Sequence, residues 1–318
     1  MSTDSSSASA AAAGNDAVEN RASTIEERPQ RAQGAGALGD TWISVKRWLV
    51  KTSRNPFVTF TSLVQPVIFF VLMAEVFGAV ADGALAGAVG ADVSYVTYLT
   101  PAIVVQSALA AASISGIGLV IDMDSGMFEK TLASPMGRGA MFLGKVFAEV
   151  VRIVVQTTII LGCGALLLYL ETGDGPGTFL ETGVAGFLGV LAITILFASA
   201  FMAFSNIVAL VTRDKEATIL IANSLTFPLL FVSSAFLPLQ VLPDWIRTVA
   251  TVNPITYGVD GVRAAMLGED VMTVVDVTAF GGAWNAIVPA VVVLLAFNLV
   301  LGAIAVRLLN RASRAAVQ

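Results

Sequence analysis

The chain has 318 residues, of which 56% are hydrophobic and only 13% are charged, and its mean hydropathy is +0.81. Soluble proteins carry about a quarter of their residues as charged side chains, so this composition excludes a water-soluble globular protein and indicates a membrane protein. The absence of histidine and the single cysteine, Cys163, exclude histidine-based catalysis, His-ligated zinc and internal disulfides. A net charge of -5 excludes the basic field that nucleic-acid binding requires.

The N-terminal segment, residues 1–40, is rich in Ser, Ala, Gly and Glu and has no periodic apolar pattern. We expect it to be a disordered cytoplasmic tail, followed by a transmembrane domain over residues 41–318. It also lacks the basic start, apolar core and cleavage site of a removable signal peptide, so we expect the first span to act as its own insertion signal.

From position 42, apolar residues recur at helical spacing and basic residues fall between them. The apolar positions are Trp42, Val45, Leu49 and Val50, and the basic positions are Lys46, Arg47 and Lys51. This pattern predicts an amphipathic helix lying on the inner lipid surface, after which Asn55-Pro56 turns the chain into the bilayer.

Six uncharged stretches of 18 to 31 residues follow along the chain. They are residues 55–74, 93–121, 153–170, 182–212, 217–243 and 277–306. A helix of about 20 apolar residues crosses the hydrocarbon core, so each stretch holds one crossing and none holds two with a turn. The sequence therefore predicts an all-α integral membrane protein with six transmembrane helices.

The orientation follows from the loops that carry lysine and arginine, because such loops stay on the cytoplasmic side. Basic residues collect before the first span, between spans two and three, between spans four and five, and after the last span. On the opposite side only Arg247 and Arg263 are basic. Both termini are therefore predicted to be cytoplasmic in a multi-pass protein of the plasma membrane.

One segment imitates a nucleotide-binding loop. Gly139 to Lys145 has the P-loop spacing up to its lysine, but Val146 follows where a Ser or Thr should hold magnesium, and no buried strand is predicted before it. We therefore expect no ATP site, no cofactor and no enzymatic activity in this chain.

Polar residues inside the spans are few. Glu149 and Arg152 lie three residues apart and are predicted to pair on one helix face near the interface. The uncharged polar residues are Gln65, Gln106, Gln156, Asn206, Asn223 and Asn298. Residues of this kind more often hold helices together than bind a solute, and we expect that role for them.

The inner connection between spans two and three has an apolar tip with charged flanks. Gly126 is expected to end the second span, and residues 127–133 to form a short helix that Ser134-Pro135 ends. Its apolar side chains are Met127, Phe128 and Leu132, and its charges are Glu129 and Lys130. A solvated loop is the alternative, but such an apolar tip calls for a partner, so we expect docking to a cytoplasmic protein.

The outer connection between spans five and six is patterned as two short helices. Trp245, Val249 and Val252 lie on one stripe, and Ile255, Val259, Val262 and Met266 lie on a second stripe after Asn253-Pro254. Asp260 and Arg263 fall off that stripe. Each helix is too short to cross, which predicts a kinked hairpin on or dipping into the outer leaflet, where it would cap an outward exit.

These two connections carry a family resemblance. The stretch from Gly126 to Arg138, with Gly144-Lys145, and the stretch Asn253-Pro-Ile-Thr-Tyr257, with Asp260, Arg263 and Gly268, resemble the two signatures of type-2 ABC-transporter permeases, the daunorubicin-resistance-permease-like membrane subunits. The resemblance covers about residues 42–314, and the order of the predicted elements agrees with it throughout.

The resemblance implies a role for each connection. It implies that the inner loop is the coupling helix contacted by a cytoplasmic ATPase, with the residues Gly126, Met127, Phe128, Glu129, Lys130, Leu132, Ser134, Pro135 and Arg138. The gate residues expected in the outer hairpin are Trp245, Asn253, Pro254, Tyr257, Asp260 and Arg263.

The resemblance also implies a function, ATP-driven export by a permease subunit that pairs with a copy of itself or with a sister permease. ATP and magnesium would bind to separate ABC ATPase subunits, since no ATPase domain is fused to this chain. The absence of charge in mid-membrane favours an amphipathic or hydrophobic cargo, drug-like or lipid-like, over small inorganic ions, while the resemblance leaves large hydrophilic polymers as an alternative cargo. The alternative is an ion-gradient-driven secondary transporter or a channel, which would call for ionisable groups in mid-span and often an inverted repeat, and neither is evident.

Overall fold

The computed structural model describes residues 36–54, 56–89, 93–127, 130, 138–173, 175–269 and 279–315. This part of the chain contains ten α-helices, one short 3-10 turn at Leu239–Val241 and no strand. The helices are α1 (Gly36–Ser53), α2 (Pro56–Val89), α3 (Tyr95–Asp124), α4 (Arg138–Thr172), α5 (Pro176–Phe179), α6 (Gly183–Thr212), α7 (Lys215–Phe231), α8 (Asp244–Ala250), α9 (Pro254–Leu267) and α10 (Trp284–Ala315).

Five of the described helices, α2, α3, α4, α6 and α10, are long and apolar enough to cross a membrane. The predicted all-helical membrane class is confirmed. The remaining predicted crossing, residues 217–243, contains α7, which is 17 residues long. That length is somewhat short of the about 20 residues that a helix needs to span the hydrocarbon core. Pro228 lies in the last turn of α7, and the chain continues as bends up to the 3-10 turn.

Helix α3 is the central element of the bundle. It packs against α2, α4 and α6, and its side chains Leu99 and Ile103 are fully buried. The approach of α6 depends on Gly116, because a Cβ there would lie 2.5 Å from the backbone oxygen of Ser205. The Gly116 amide donates instead to the Ser205 hydroxyl at 3.2 Å. The small side chain thus allows α3 and α6 to meet along their backbones.

Helix α1 lies along α4. It begins at Gly36, so residues 36–40 of the predicted tail are helical, while residues 1–35 lie outside the described part of the chain. The predicted apolar stripe is divided between two faces. Val45 is buried with Trp48 in the protein, whereas Trp42 is 68% exposed.

The two helices of the outer hairpin have different environments. Helix α8 is largely exposed, and Trp245 on it is 63% exposed. Helix α9 is buried at every position except Tyr257, and it packs against α6 and α10 with further contacts to α3. Its burial explains why Asp260 and Arg263, off the predicted apolar stripe, are also enclosed by protein.

Candidate functional site

The predicted coupling segment begins where α3 ends. Gly126 has a φ of +66°, a left-handed conformation that glycine adopts without strain, and its amide donates to the Met123 carbonyl at 3.1 Å. Met127 is 39% exposed, and the Lys130 amide donates to the Gly126 carbonyl at 3.2 Å in the i to i−4 pattern of a helix. The predicted role of Gly126 in ending the helix agrees with this geometry.

Most of the predicted coupling residues lie beyond the described ranges. These are Phe128, Glu129, Leu132, Ser134 and Pro135, and Arg138 is described only as the first residue of α4. The structure therefore describes the two ends of the loop, at Asp124 to Met127 and at the start of α4. Its docking role stays a prediction.

The end of α3 that leads into this loop is held by α1. The Asp122 carboxylate accepts a hydrogen bond from Lys51 Nζ at 2.5 Å and lies 3.6 Å from the Arg47 guanidinium. Asp122 is buried while Lys51 is one-third exposed, so this ion pair lies at the boundary between protein and surroundings. The contact links the amphipathic helix to a position four residues before the loop.

Lys145 joins four helices at the same end of the bundle. Its ammonium donates to the Ser115 carbonyl at 2.8 Å and to Asn206 Oδ1 at 2.7 Å, and it lies 5.4 Å from the centre of the Trp48 ring. The residues of the P-loop imitation, 139–145, lie in the first turns of α4, and the lysine at their end is engaged by Ser115 and Asn206. A phosphate-binding loop instead leaves its lysine free to reach the phosphates.

The predicted pair of Glu149 and Arg152 is present as a salt bridge. Both side chains are buried in the bundle, and Arg152 Nη2 donates to the Ala111 carbonyl of α3 at 2.6 Å. A charge placed in a span is tolerated when it is paired and satisfied by backbone carbonyls. Together with Lys145, this pair explains how α4 continues as one helix through a charged segment.

Three of the polar residues expected to hold helices together do so. Asn298 Nδ2 donates to the Leu196 carbonyl at 2.8 Å, and Gln156 Nε2 donates to the Ser62 hydroxyl at 2.8 Å. Asn206 accepts from Lys145, as described above. Interhelical hydrogen bonds of this kind are typical of membrane bundles.

The other three amides surround a cleft of about 70 Å³ between α2, α3 and α7. Gln65, Gln106 and Asn223 line it together with Leu109 and Phe227, and Gln106 Oε1 is buried without a hydrogen-bond partner in the described structure. The sequence alone did not indicate this convergence, because the three positions lie on three different helices. The cleft combines apolar walls with three amides and can offer amide groups to a cargo.

The outer hairpin is fixed through Arg263, which is fully buried. Its guanidinium donates to Asp260 Oδ1 at 3.1 Å and to the Ser234 carbonyl at 3.1 Å, and it stacks 3.9 Å from the centre of the Tyr98 ring. The Ser234 hydroxyl donates to Asp260 Oδ1 at 2.6 Å. Asp260 and Arg263 were predicted site residues, whereas Tyr98 and Ser234 carry no sequence signal that marks them as partners.

Asn253 connects the hairpin to the end of α7. Its side-chain amide donates to the Leu229 carbonyl at 2.6 Å and to the Val232 carbonyl at 2.7 Å, and its oxygen accepts from the Ile255 amide at 3.0 Å. The residue thus caps α9 and satisfies carbonyls where α7 ends. Pro254, at the first position of α9, needs no amide partner there.

Tyr257 is the partly exposed residue of this connection. Its hydroxyl donates to the Thr251 carbonyl at 2.7 Å, which joins α9 to the end of α8. Burial, with a smaller effect of the Asp260 carboxylate, raises the pKa of Tyr257 above its ordinary value. The phenol therefore stays protonated and remains a hydrogen-bond donor at physiological pH. The predicted gate residues Asn253, Tyr257 and Arg263 thus each connect α9 to a different neighbouring segment.

Comparison with known proteins shows that most of this chain matches one protein family. The model of the family described as ABC-2 type transporter matches residues 40–267, from the first turns of α1 to the last residue of α9. The chain is 26% identical over 245 residues to the daunorubicin resistance ABC transporter permease protein DrrB1 of Streptomyces coeruleorubidus, covering 76% of this chain and 79% of that protein.

Two further relatives have similar coverage. One, from Mycobacterium tuberculosis, bears the name "Probable doxorubicin resistance ABC transporter permease protein DrrC"; it is 23% identical over 256 residues, covering 78% of this chain and 86% of that protein. The other is Nodulation protein J of Rhizobium leguminosarum bv. trifolii, 27% identical over 194 residues, covering 60% of this chain and 69% of that protein.

Proposed function

Because the chain belongs to the ABC-2 type transporter family, we propose that it is the membrane-spanning subunit of an ABC exporter that moves an amphipathic or hydrophobic cargo out of the cytoplasm. The observation that carries this proposal is the family match, which extends over both the inner loop and the outer hairpin. ATP hydrolysis takes place on a separate ABC ATPase, and this chain contributes no nucleotide site.

The proposed topology has six crossings with both termini inside. The crossings are α2, α3, α4, α6, α7 and α10, and the bends after Phe231 complete the fifth. This topology places the loop after Gly126 in the cytoplasm and the hairpin of α8 and α9 on the outer side. The distribution of lysine and arginine among the loops supports the same orientation.

Coupling to the ATPase occurs through the loop at residues 126–138. The loop joins α3 to α4, and both helices pack on α6. Closure of the ATPase pair on ATP therefore pushes on two central helices at once, and it shifts the bundle from an inward-facing to an outward-facing population. The apolar tip of the loop is the part that would enter the ATPase groove.

Two observations support a drug-like or lipid-like cargo. The names of the relatives DrrB1 and DrrC refer to resistance to daunorubicin and doxorubicin. Both drugs are amphipathic aromatic compounds. In this chain the cleft between α2, α3 and α7 combines apolar walls with the amides of Gln65, Gln106 and Asn223. Sites for small organic ligands have this combination of apolar walls and a few polar groups.

The size of that cleft supports a dimer. A pocket for a drug-sized ligand has about 300–1,000 Å³, whereas this cleft has about 70 Å³. Its wall is open, since Gln65, Asn223 and Phe227 are exposed. A second permease subunit, either a copy of this chain or a sister chain, would close the opening and complete the cargo site.

The proposal is tested by purifying the tagged chain from its own membranes and reconstituting what co-purifies. We expect an ABC ATPase to co-purify, and we expect inside-out vesicles to accumulate daunorubicin only with hydrolysable ATP. A Gln106→Leu variant should lower the accumulation severalfold, whereas the same change at Gln156, which is bonded to Ser62, should affect stability more than cargo. Accumulation driven by an ion gradient without ATP would identify a secondary transporter instead.

A further inference from the structure

The amphipathic helix α1 uses one face to bind the bundle. Ser44, Val45 and Trp48 are buried on this face, and the Ser44 hydroxyl donates to the Met141 carbonyl of α4 at 2.9 Å. Gly144 of α4 allows this close contact, because a Cβ at this position would overlap the Ser44 side chain. This face is therefore occupied and cannot take a further partner.

The opposite face of α1 is open and mixes cations with large apolar side chains. Trp42, Lys46, Val50 and Arg54 are spaced by four residues and form one row along the helix. An adjacent row contains Ile43, Arg47 and Lys51. Trp42, Ile43 and Val50 are 68%, 51% and 38% exposed, and a surface groove of about 760 Å³ runs along these rows.

The charge on this face is strongly unbalanced. Of its four cations, Arg47 and Lys51 contact the Asp122 carboxylate. Lys46 and Arg54 are exposed, and neither forms an ion pair within the described residues. The chain as a whole has a net charge of -5, so the cationic groove is a local feature and does not follow from composition.

We propose that this groove binds the headgroup phosphate of an anionic phospholipid in the inner leaflet. Its location in that leaflet depends on the proposed orientation of the chain, but the site itself is independent of the cargo. The four cations of this face contact the phosphate, Lys46 and Arg54 most directly, while Trp42 lies at headgroup level. Ile43 and Val50 contact the upper acyl chain.

A lipid fits this face better than a protein partner because apolar and basic side chains alternate along the first row, and the second row places Ile43 beside two further cations. Amphipathic helices at a membrane interface have this composition, and tryptophan is typical of the headgroup level. Each lysine or arginine near an anionic surface strengthens binding by about fivefold. Two unpaired cations together therefore provide a clear preference for an anionic over a zwitterionic lipid.

The site also connects to the proposed coupling loop through Asp122. Arg47 and Lys51 serve both this carboxylate and the groove, so the lipid phosphate and Asp122 compete for the same two cations. Removing the carboxylate should strengthen lipid binding, whereas removing Lys46 and Arg54 should weaken it. If α1 had only a structural role, these two kinds of substitution would not change lipid binding in opposite directions.

The test measures contact between lipid and Trp42 in the full-length protein in nanodiscs. Phosphatidylcholine discs receive increasing fractions of brominated phosphatidylglycerol or brominated phosphatidylcholine, and the quenching specific to Trp42 is the difference between the wild type and Trp42→Phe. We expect half-maximal quenching at a mole fraction at least fivefold lower for phosphatidylglycerol. A Lys46→Gln/Arg54→Gln variant should lower this preference to below twofold, and Asp122→Asn should increase it.

The matched control is Arg213→Gln/Lys215→Gln, which removes two cations at the inner end of α6 and α7. Retention of the phosphatidylglycerol preference in this variant, with monodisperse elution of all variants, supports the site. Equal quenching by the two lipids, or a preference that survives neutralisation of Lys46 and Arg54, would overturn the proposal. If neither lipid quenched Trp42 in the complex with the ATPase, the proposal would also be overturned, and this face would be assigned to the protein partner.

Discussion

The guanidinium carbon of Arg263 lies 3.9 Å from the centre of the Tyr98 ring, although the two residues are 165 positions apart in the chain. The stack joins α9 of the hairpin to the N-terminal end of α3, the central helix. Because Arg263 Nη2 also donates to the Tyr98 carbonyl at 3.3 Å, both the ring and the backbone of this residue hold the hairpin. Movement of α9 relative to α3 would therefore require breaking several buried interactions together.

We predict that Arg263→Ala destabilises the protein by about 3–5 kcal/mol, because it leaves the Asp260 carboxylate buried without its charge partner. Arg263→Lys should recover only part of this loss, since an ammonium cannot reproduce the stacked, forked geometry of a guanidinium. The measurement is thermal unfolding in detergent followed by intrinsic fluorescence.

The hairpin provides a matched control. Arg247 also follows an aspartate by three residues, but its pair with Asp244 is exposed and 3.4 Å long. Exposed pairs of this kind contribute little to stability, so Arg247→Ala should leave the unfolding temperature nearly unchanged. Equal effects of the two substitutions would show that Arg263 does not hold the hairpin.

A second prediction separates the two roles of Asn253. Asn253→Ala removes the helix cap and the two bonds to the end of α7, whereas Asn253→Ser retains a capping oxygen and loses only the connection to α7. We expect the free energy of unfolding of Asn253→Ala to be about 1 kcal/mol lower than that of Asn253→Ser, and Asn253→Ser to be less stable than the wild type.

Hydrogen exchange distinguishes the two effects. In Asn253→Ser the amides of the first turn of α9 should stay protected, while those at the end of α7 and in residues 232–238 should exchange faster. Unchanged exchange after Phe231 would contradict a bridging role of Asn253.

A third prediction concerns the contact between α1 and α4. Gly144→Ala should destabilise the protein by about 1–3 kcal/mol, because the new methyl group overlaps Ser44 and α1 must move. Gly162→Ala in the same helix meets open space, so the higher helix propensity of alanine should make it neutral or slightly stabilising. Displacement of α1 should increase the rate of proteolytic cleavage between α1 and α2. Equal cleavage rates in the two variants would contradict a close contact between Gly144 and Ser44.

Sequence patterns predicted five helices that are long and apolar enough to cross a membrane, because a span needs only length and low charge. The sixth predicted crossing, residues 217–243, stays a prediction. The N-terminal end of α4 was not predicted in this way. Lys145, Glu149 and Arg152 interrupt the uncharged stretch, so the predicted span began at residue 153, whereas the helix begins at Arg138. The charges are tolerated because Ser115, Asn206 and Ala111 satisfy two of them, and those partners come from other helices.

The near-complete burial of α9 could not be predicted from the sequence, for a similar reason. Its apolar stripe predicted one buried face, and Asp260 and Arg263 fell outside that stripe. Their burial depends on Tyr98 and Ser234, which have no local relation to the hairpin in the chain. Periodicity predicts a helix and one face, but it does not predict polar partners supplied by distant segments.

We propose that a separate ATPase drives this chain through the loop after α3. The sequence predicts Phe128 at the apolar tip of that loop and Glu129 on a charged flank. Phe128→Ala removes the side chain expected to enter the ATPase groove, and Glu129→Lys reverses a charge beside it. Leu143→Ala, at an exposed position on α4 near the same end of the bundle, is the matched control.

The most direct measurement is cargo-stimulated ATP hydrolysis by the reconstituted complex of the full chain with its ABC ATPase. The account predicts stimulation for the wild type and for Leu143→Ala, and loss of stimulation for Phe128→Ala and Glu129→Lys, while both variants still insert into the membrane and elute as folded protein. Normal stimulation in Phe128→Ala and Glu129→Lys would contradict it.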